Sequence, residues 1–178
     1  MKPTLIFLVT VLGTLASAQA AEATTPAQRL AALGITLPAA PAPVANYVPA
    51  VRTGNLVFLA GTIARTPDGQ PITGKLGREF TEAAGATAAR QCAIQLIAVL
   101  QAEVGDLAKV KRIVRVGGFV NGTDDFTGQS RVINGASDLL VAVFGEAGKH
   151  ARTSVGVNSL PFGAAVEVEL VAEIEVER

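Results

Sequence analysis

The stretch AAVEVELVAEIEV, residues 164–176, alternates apolar side chains with carboxylates almost without interruption. Successive side chains of a β-strand point to opposite faces, so this alternation predicts a strand from Ala164 to Val176 with one face buried. The apolar set is Val166, Val168, Leu170, Ala172, Ile174 and Val176. The opposite set is Glu167, Glu169, Glu173, Glu175 and Glu177, interrupted only by Val171. The stretch therefore predicts a sheet with one face under helices and the other lined by carboxylates.

Two stretches upstream have the helical spacing needed to cover such a sheet. From about Thr81 to Val104, apolar residues recur in steps of three and four: Ala89, Ala93, Leu96, Leu100 and Val104. A second helix is predicted from a cap at Thr123 or Asp124 to Val143, with Gly145 beyond its end. Its apolar stripe consists of Val132, Ala136, Leu139, Leu140 and Val143.

The remaining elements complete a β-β-α-β-α-β-β order. Strands are predicted at 46–51 and 56–60, joined by a polar turn at 52–55, and at 110–121 and 153–157. The pair Gly117-Gly118 predicts a bulge or a close backbone approach within the third strand. This order predicts an α+β domain, with two helices packed on one face of a mixed sheet.

The N-terminal residues predict export. Lys2 is followed by an apolar run and by small residues up to Ala20, as in a signal peptide with a cleavage site near Ala20. The apolar run is shorter than the roughly 18 residues of a membrane-spanning helix. We expect residues 1–20 to be removed and the protein to be secreted or periplasmic. Residues 21–45 are predicted to form a short helix and a proline-rich strap, and residues 46–178 the main domain.

The composition excludes several kinds of protein. The 178 residues fit one domain, and 49% hydrophobic content with 17% charged content is enough for a core. Fifteen basic and fifteen acidic residues give a net charge of zero, and aromatic residues make up only 4%, which argues against nucleic-acid binding. With a single histidine and no cluster of ligands, no metal site is predicted. Cys92, the only cysteine, lies in an apolar helical run and is predicted to be a core residue.

Three segments carry a resemblance to a known family. They are LPAAPAPVANYVPAVRTGNLVFLAG at 37–61, VKRIVRVGGFVN at 110–121 and HARTSVGVNSLPFGAAVEVE at 150–169. The chain resembles the RidA/YjgF family of reactive-intermediate deaminases, in the branch labelled "YjgF-like putative endoribonuclease". The resemblance implies a chorismate-mutase-like fold, assembled as a homotrimer with ligand pockets at the subunit interfaces. It further implies a hydrolase of the 2-iminobutanoate/2-iminopropanoate deaminase type, which converts enamines and imines to 2-keto acids and ammonia without metal or cofactor.

The same resemblance implies roles for individual residues. Arg152 corresponds to the arginine that holds the substrate carboxylate, and Glu167 to the glutamate that positions or activates water. Tyr47 would close the pocket, and Gly61 would offer a backbone N–H group to the ligand. Two further substrate-binding candidates are Asn134, as counterpart of the family's helix asparagine, and Ser154, where many members carry cysteine. The family's Ser-Gly-Gln is Ala60-Gly61-Thr62 in this chain, which removes one hydroxyl contact.

The residues alone leave alternatives open. Arg152 is equally compatible with a structural ion pair to a glutamate of the last strand, and Glu167 with a solvated carboxylate. His150 is interpreted as a loop residue. The chain as a whole is compatible with an imine deaminase or with a non-catalytic binder of small carboxylates and keto acids. An endoribonuclease is the least supported hypothesis, because one histidine leaves no acid–base pair.

Overall fold

The computed structural model of the protein describes residues 24–40, 46–66 and 68–175. The strands are β1 (Ala50–Thr53), β2 (Leu56–Ile63), β3 (Val110–Asn121), β4 (Ala151–Val157) and β5 (Val166–Ile174). The α-helices are α1 (Pro26–Ala32), α2 (Glu82–Val104) and α3 (Gln129–Phe144), and short 3-10 turns cover Leu107–Lys109, Gly145–Gly148 and Pro161–Gly163. The predicted signal peptide and residues 41–45 of the predicted strap lie outside the described residues.

The strands form one mixed sheet in the order β1-β2-β5-β3-β4. The central strand β5 is antiparallel to both of its neighbours, β2 and β3. At one edge, β4 is parallel to β3, because the connection between them crosses over through α3. The predicted α+β class is confirmed.

The alternation of the last strand separates the core from the open face as predicted. The apolar set of β5 is at most 2% exposed, and its members are Val166, Val168, Leu170, Ala172 and Ile174. Burying each of the larger side chains contributes roughly 1.5–3 kcal/mol. The strand itself is shorter than predicted, since Ala164 pairs in an isolated bridge with Thr73 instead of extending it.

Helix α2 is the central helix of the core. Its predicted stripe is buried throughout, and the Thr81 hydroxyl accepts a hydrogen bond from the backbone N–H of Ala84 at its start. Among the described helices, α2 is long and apolar enough to cross a membrane, but it packs against α3 and β5, which explains that composition. Cys92 is fully buried on it, and burial raises the pKa of its thiol, so its predicted core role is confirmed.

Helix α3 starts later than predicted. Neither Thr123 nor Asp124 caps it: the N-cap is Gly128, and no side chain caps the helix. The backbone N–H of Thr123 donates to Leu76 O at 2.9 Å instead, and its own carbonyl accepts from Phe126. Thr123 and Phe126 are therefore engaged in loop hydrogen bonds before the helix begins. The apolar stripe predicted for this helix is fully buried.

The first hairpin was predicted with the wrong boundaries. Strand β1 begins at Ala50 and includes Arg52 and Thr53, which pair with Val57 and Leu56. The turn is therefore the two residues 54–55, the shortest common hairpin loop, instead of the four predicted. Strand β2 likewise continues past Ala60 to Ile63, and strand β4 begins two residues earlier than predicted.

Two further predictions are confirmed. Helix α1 begins with a capping box between Thr25 and Gln28 and has Pro26 at its first position. The glycine pair of β3 permits close approach on both faces: a Cβ at Gly118 would lie 2.5 Å from Ile133, and one at Gly117 would lie 2.6 Å from Glu169.

Candidate functional site

Arg152 lies on the edge strand β4 and is fixed against helix α3. One guanidinium nitrogen donates to Asn134 Oδ1 at 2.8 Å and to Ser137 Oγ at 3.0 Å, and the other donates to the carbonyl of Ser130 at 3.3 Å. All three acceptors are neutral. Within residues 24–40, 46–66 and 68–175, no glutamate of the last strand forms an ion pair with Arg152, so the structure gives no support to that alternative. No carboxylate of the described residues compensates the charge of the guanidinium, and Arg152 is exposed to solvent.

The surroundings of Arg152 contain two of the other predicted site residues. Asn134 holds the guanidinium directly, and Ser154 follows two residues later on β4, so it lies on the same side of the sheet. The Ser154 hydroxyl is buried and has no hydrogen-bond partner among the described residues. We call Ser130, Asn134, Ser137, Arg152 and Ser154 the Arg152 cluster. Its donors and its single positive charge match a small carboxylate.

Glu167 occupies a different environment near the start of β5. It is half-buried, and among the described residues none donates a hydrogen bond to its carboxylate. Partial burial raises the pKa of Glu167 above its ordinary value, and the neighbouring charge of Glu169 raises it further. A carboxylate with a raised pKa is suited to accept and return a proton near neutral pH.

Gly61 gives the Glu167 carboxylate its space. Residues 60 and 61 form a bulge in β2, where no residue of β5 pairs with them, between the pairs Leu59–Leu170 and Thr62–Val168. A Cβ at Gly61 would overlap Glu167 Oε1. Only glycine at this position allows the carboxylate its present orientation.

Glu167 opens into a cavity of about 1050 Å³. We call it the Glu167 cavity; its wall includes residues 34–39, Tyr47, residues 60–63, Ile94 and Phe162. Most of these side chains are apolar, while Gln91, Gln95 and Arg65 contribute polar groups. Tyr47, Gly61 and Glu167, predicted from the resemblance to share a pocket, are brought together in it. Arg152, Asn134 and Ser154 do not line it.

The two groups lie on opposite sides of the same sheet. Arg152 pairs with Val116 and lies on the side of the buried core, whereas Glu167 pairs with Phe119 on the other side. Neighbouring strands are about 4.8 Å apart and residues about 3.4 Å apart along a strand, so the two Cα atoms are separated by roughly 14 Å. A single copy of the chain therefore does not bring Arg152 and Glu167 to one substrate.

Comparison with known proteins agrees with this architecture. Residues 27–174 match the model of the family described as "YjgF/chorismate_mutase-like, putative endoribonuclease". The chain belongs to the RidA/YjgF family. The match covers the whole described sheet and its helices.

Relatives of this RidA/YjgF chain carry several names. It is 50% identical over 149 residues to Protein TCP17 of Trypanosoma cruzi, covering 83% of this chain and 93% of that one. It is 31% identical over 142 residues to a 2-iminobutanoate/2-iminopropanoate deaminase of Dermatophagoides farinae, covering 79% and 95%. A crystal structure of a "putative endoribonuclease" from Shewanella oneidensis superposes with a TM-score of 0.82 at 32% identity, over 85% of this chain and all of that one.

The Arg152 cluster and the Glu167 cavity also contain residues that were not predicted as site residues. Ser130 and Ser137 hold Arg152, and they stand four residues before and three residues after Asn134. That spacing places three polar residues on one helix face and was visible in the sequence. The apolar side chains that α2 and residues 34–39 contribute to the cavity wall give no comparable signal, because they look like ordinary core residues.

Proposed function

We propose that this RidA/YjgF protein hydrolyses small 2-imino acids to 2-keto acids and ammonia. The observation that carries the proposal is the guanidinium of Arg152, which is held by three neutral oxygens and pairs with no carboxylate in the part of the chain that the structure describes. Such a group offers a fixed fork of donors to a substrate carboxylate. The deaminase name of the Dermatophagoides relative supports the same activity.

The reaction requires a proton acceptor beside the reacting carbon, and Glu167 is suited to that role. Water adds to C2 of the imine, so a C–O bond forms while the electron pair of the C=N bond moves to nitrogen. The Glu167 carboxylate takes a proton from the water and returns it to that nitrogen. Glu167 then takes the hydroxyl proton of the carbinolamine and delivers it to the nitrogen, which leaves as ammonia when the C–N bond breaks and the keto group forms. Positioned proton transfer of this kind contributes about 10²–10⁴-fold.

The proposed site combines Arg152 of one copy with Glu167 of another. The open sheet face supports assembly, because it presents exposed apolar side chains: Val51 at 55%, Phe58 at 44% and Val155 at 40%. Val51 and Phe58 are cross-strand partners, and exposed apolar patches are typical of interaction faces. We propose a homotrimer formed through this face, as the family resemblance implies. Sedimentation equilibrium of the mature protein tests it, and a monomer at micromolar concentration would contradict it.

A coupled assay tests the proposed activity. An amino-acid oxidase generates the imino acid in place, semicarbazide traps what survives, and the rate of keto-acid formation is followed with and without the mature protein. We expect the protein to accelerate keto-acid release and to reduce the trapped fraction. A rate equal to that in buffer would exclude the deaminase.

One observation favours a binding protein as the second candidate. Ala60 stands where the family carries serine, and it lines the Glu167 cavity without offering a hydroxyl group. Calorimetry with 2-oxobutanoate distinguishes the two candidates when it is combined with the assay above: binding without turnover identifies a carboxylate binder. RNA cleavage is not proposed, because the net charge is zero and the single histidine is occupied by hydrogen bonds.

The predicted signal peptide leads to a proposal about location. We propose that the activity operates outside the cytoplasm, in the periplasm or the medium. N-terminal sequencing of protein expressed with residues 1–20 tests this, and a mature N-terminus near Ala21 in the exported fraction is expected. Full-length protein retained in the cytoplasm would contradict it.

A further inference from the structure

His150 is connected to Arg152 through one serine. The Nδ1 atom of His150 lies 2.7 Å from the carbonyl oxygen of Gly148, and its Nε2 atom lies 3.0 Å from Ser137 Oγ. The same Ser137 oxygen accepts from the guanidinium of Arg152 at 3.0 Å. His150 is the only histidine in the chain.

These contacts determine the tautomer of the neutral ring. A carbonyl oxygen can only accept, so Nδ1 of His150 must carry the proton that faces Gly148. The Nε2 atom of the neutral ring is then an acceptor, and the Ser137 hydroxyl donates to it. Because the hydroxyl hydrogen of Ser137 points to the ring, the lone pairs of its oxygen face the guanidinium of Arg152. In this series of hydrogen bonds, Arg152 donates to Ser137, Ser137 donates to His150, and His150 donates to the carbonyl oxygen of Gly148.

We propose that Ser137 and His150 are positioning residues that orient the Arg152 guanidinium for a substrate carboxylate, and that protonation of His150 releases it. The positioning role rests on the proposed function only for the identity of the bound carboxylate, which the proposed function takes to be that of a 2-imino acid. When His150 gains a proton, Nε2 becomes a donor directed at Ser137 Oγ. The serine hydroxyl must then turn its proton away from the ring, and Oγ has to serve two cationic donors. The imidazolium also repels the guanidinium, so Arg152 loses one of the three contacts that fix its orientation.

The surroundings of His150 favour the neutral ring. Burial lowers the pKa of His150, the hydrogen bond to Gly148 acts in the opposite direction, and the charge of Arg152 lowers it further. The other charged groups nearby are the Lys149–Glu146 ion pair in the preceding turn and Asp138 beside Ser137 on α3, and all three are exposed. The contact of Arg152 with Ser137 is therefore present at neutral pH and is lost as the pH falls through the lowered pKa of His150.

Nitrogen NMR on the full mature protein tests the network without any ligand. At pH 7.5 we expect the single imidazole to be the Nδ1–H tautomer, and the Nη signals of Arg152, assigned with Arg152→Lys, to report hindered rotation. Acidification should convert the ring to imidazolium and release the guanidinium rotation at the same midpoint. An Nε2–H tautomer would overturn the proposal. So would a rate of guanidinium rotation that does not change as His150 is protonated.

Binding of 2-oxobutanoate provides the functional measurement. Between pH 7.5 and pH 5, we expect the dissociation constant of the wild type to rise about five- to tenfold, which is within the range of one typical intramolecular hydrogen bond. Measurements in Glu167→Gln remove the contribution of that carboxylate. His150→Gln should lose the pH dependence, Ser137→Ala should weaken binding about threefold to tenfold at pH 7.5, and Ser137→Thr should restore it. The control is Ser159→Ala, an exposed serine outside the network.

The outcomes separate this proposal from the proposed function. Affinity that increases on acidification would mean that His150 acts as an additional positive charge, and would overturn the positioning role. Imine hydrolysis with wild-type pH dependence in His150→Gln would do the same while leaving the deaminase intact. A protein that neither binds nor hydrolyses these anions, yet shows the coupled NMR midpoints, would exclude the deaminase and support the network.

Discussion

The Arg152 cluster and the Glu167 cavity hold opposite charges in different ways: hydrogen bonds orient an exposed guanidinium, and partial burial surrounds a carboxylate. Arg152 is exposed, and hydrogen bonds to one face of α3 fix it in place. Glu167 is half-buried in an apolar cavity, and no described residue donates a hydrogen bond to it. Hydrogen bonds orient the first group, whereas partial burial disfavours the charged form of the second, as the raised pKa of Glu167 indicates.

This difference corresponds to two chemical tasks. A group that only holds a carboxylate benefits from a permanent charge and a fixed geometry. A group that takes and returns a proton needs a pKa closer to the working pH, and partial burial without hydrogen bonds supplies it. The position of each group in the fold therefore suits its proposed role, although the two lie on opposite sides of one sheet.

Glu167→Gln should have the largest effect on catalysis. We expect kcat to fall about 10²–10⁴-fold, because the amide cannot accept the proton of water. Binding of 2-oxobutanoate should remain within a few-fold of the wild type, since Arg152 is intact. Steady-state kinetics and calorimetry measure the two quantities. Glu175→Gln, an exposed carboxylate beyond β5, is the matched control, and equal losses in both variants would contradict the assignment.

The same variant should be more stable than the wild type at neutral pH. Because the folded-state pKa of Glu167 is raised, its contribution to stability is present below the unfolded value and is lost as the pH rises through the folded value. The neutral amide avoids that loss. Melting temperatures at pH 4 and pH 7 check this. The advantage of Glu167→Gln should appear at pH 7 and disappear at pH 4.

Arg152→Ala should have the next largest effect, and mainly on binding. Hydrogen bonds to charged groups contribute about 1.5–3 kcal/mol, so affinity for 2-oxobutanoate should fall by roughly ten- to a hundredfold. The fold should persist, because the guanidinium is exposed. Calorimetry measures the affinity, and Arg78→Ala serves as the control, since Arg78 is exposed and pairs only with its neighbour Glu79 among the described residues. Unchanged affinity in Arg152→Ala would mean that Arg152 does not bind the carboxylate of the ligand.

Much of this arrangement could be predicted from the sequence. The alternation of β5 fixed which residues face the core, and the stripes of α2 and α3 identified the layer that covers them, because both patterns are local periodicities. Element boundaries failed where loop hydrogen bonds compete with a cap, as at Thr123, or where two turn residues suffice, as at 54–55. Such choices depend on tertiary contacts, not on propensity.

The candidate site residues were predicted from family motifs, whereas their separation within one copy comes from the structure. Family motifs identified Arg152 and Glu167 as partners, yet the separation of the two residues follows from the order of strands in the sheet. That order depends on pairings between distant segments, which no local pattern encodes. The Glu167 cavity likewise depends on residues 34–39 lying near α2, a contact that is remote in sequence.

Mixing two inactive variants should show whether the two groups act from different copies. Arg152→Ala and Glu167→Gln chains, co-expressed in equal amounts, should recover about a quarter of the wild-type activity, since random assembly makes an intact Arg152 face an intact Glu167 in that fraction of interfaces. The coupled assay measures the recovery. Each variant alone is the control, and a mixture no more active than its components would confine the site to one chain.

Ser154→Ala should have the smallest effect. Its effect on stability should be neutral or favourable, and its effect on affinity should be unfavourable. The Ser154 hydroxyl is buried without a partner among the described residues, and such a group costs about 1–3 kcal/mol, so removing it should leave the protein equally stable or more stable. If the hydroxyl donates to the substrate carboxylate, affinity for 2-oxobutanoate should fall by roughly tenfold, the lower end of the effect of one hydrogen bond to a charged group. Thermal melts and calorimetry on the same samples separate the two parts. A loss of stability together with unchanged affinity would mean that Ser154 supports the packing of β4, and would restrict the Arg152 cluster to its guanidinium and the residues that hold it.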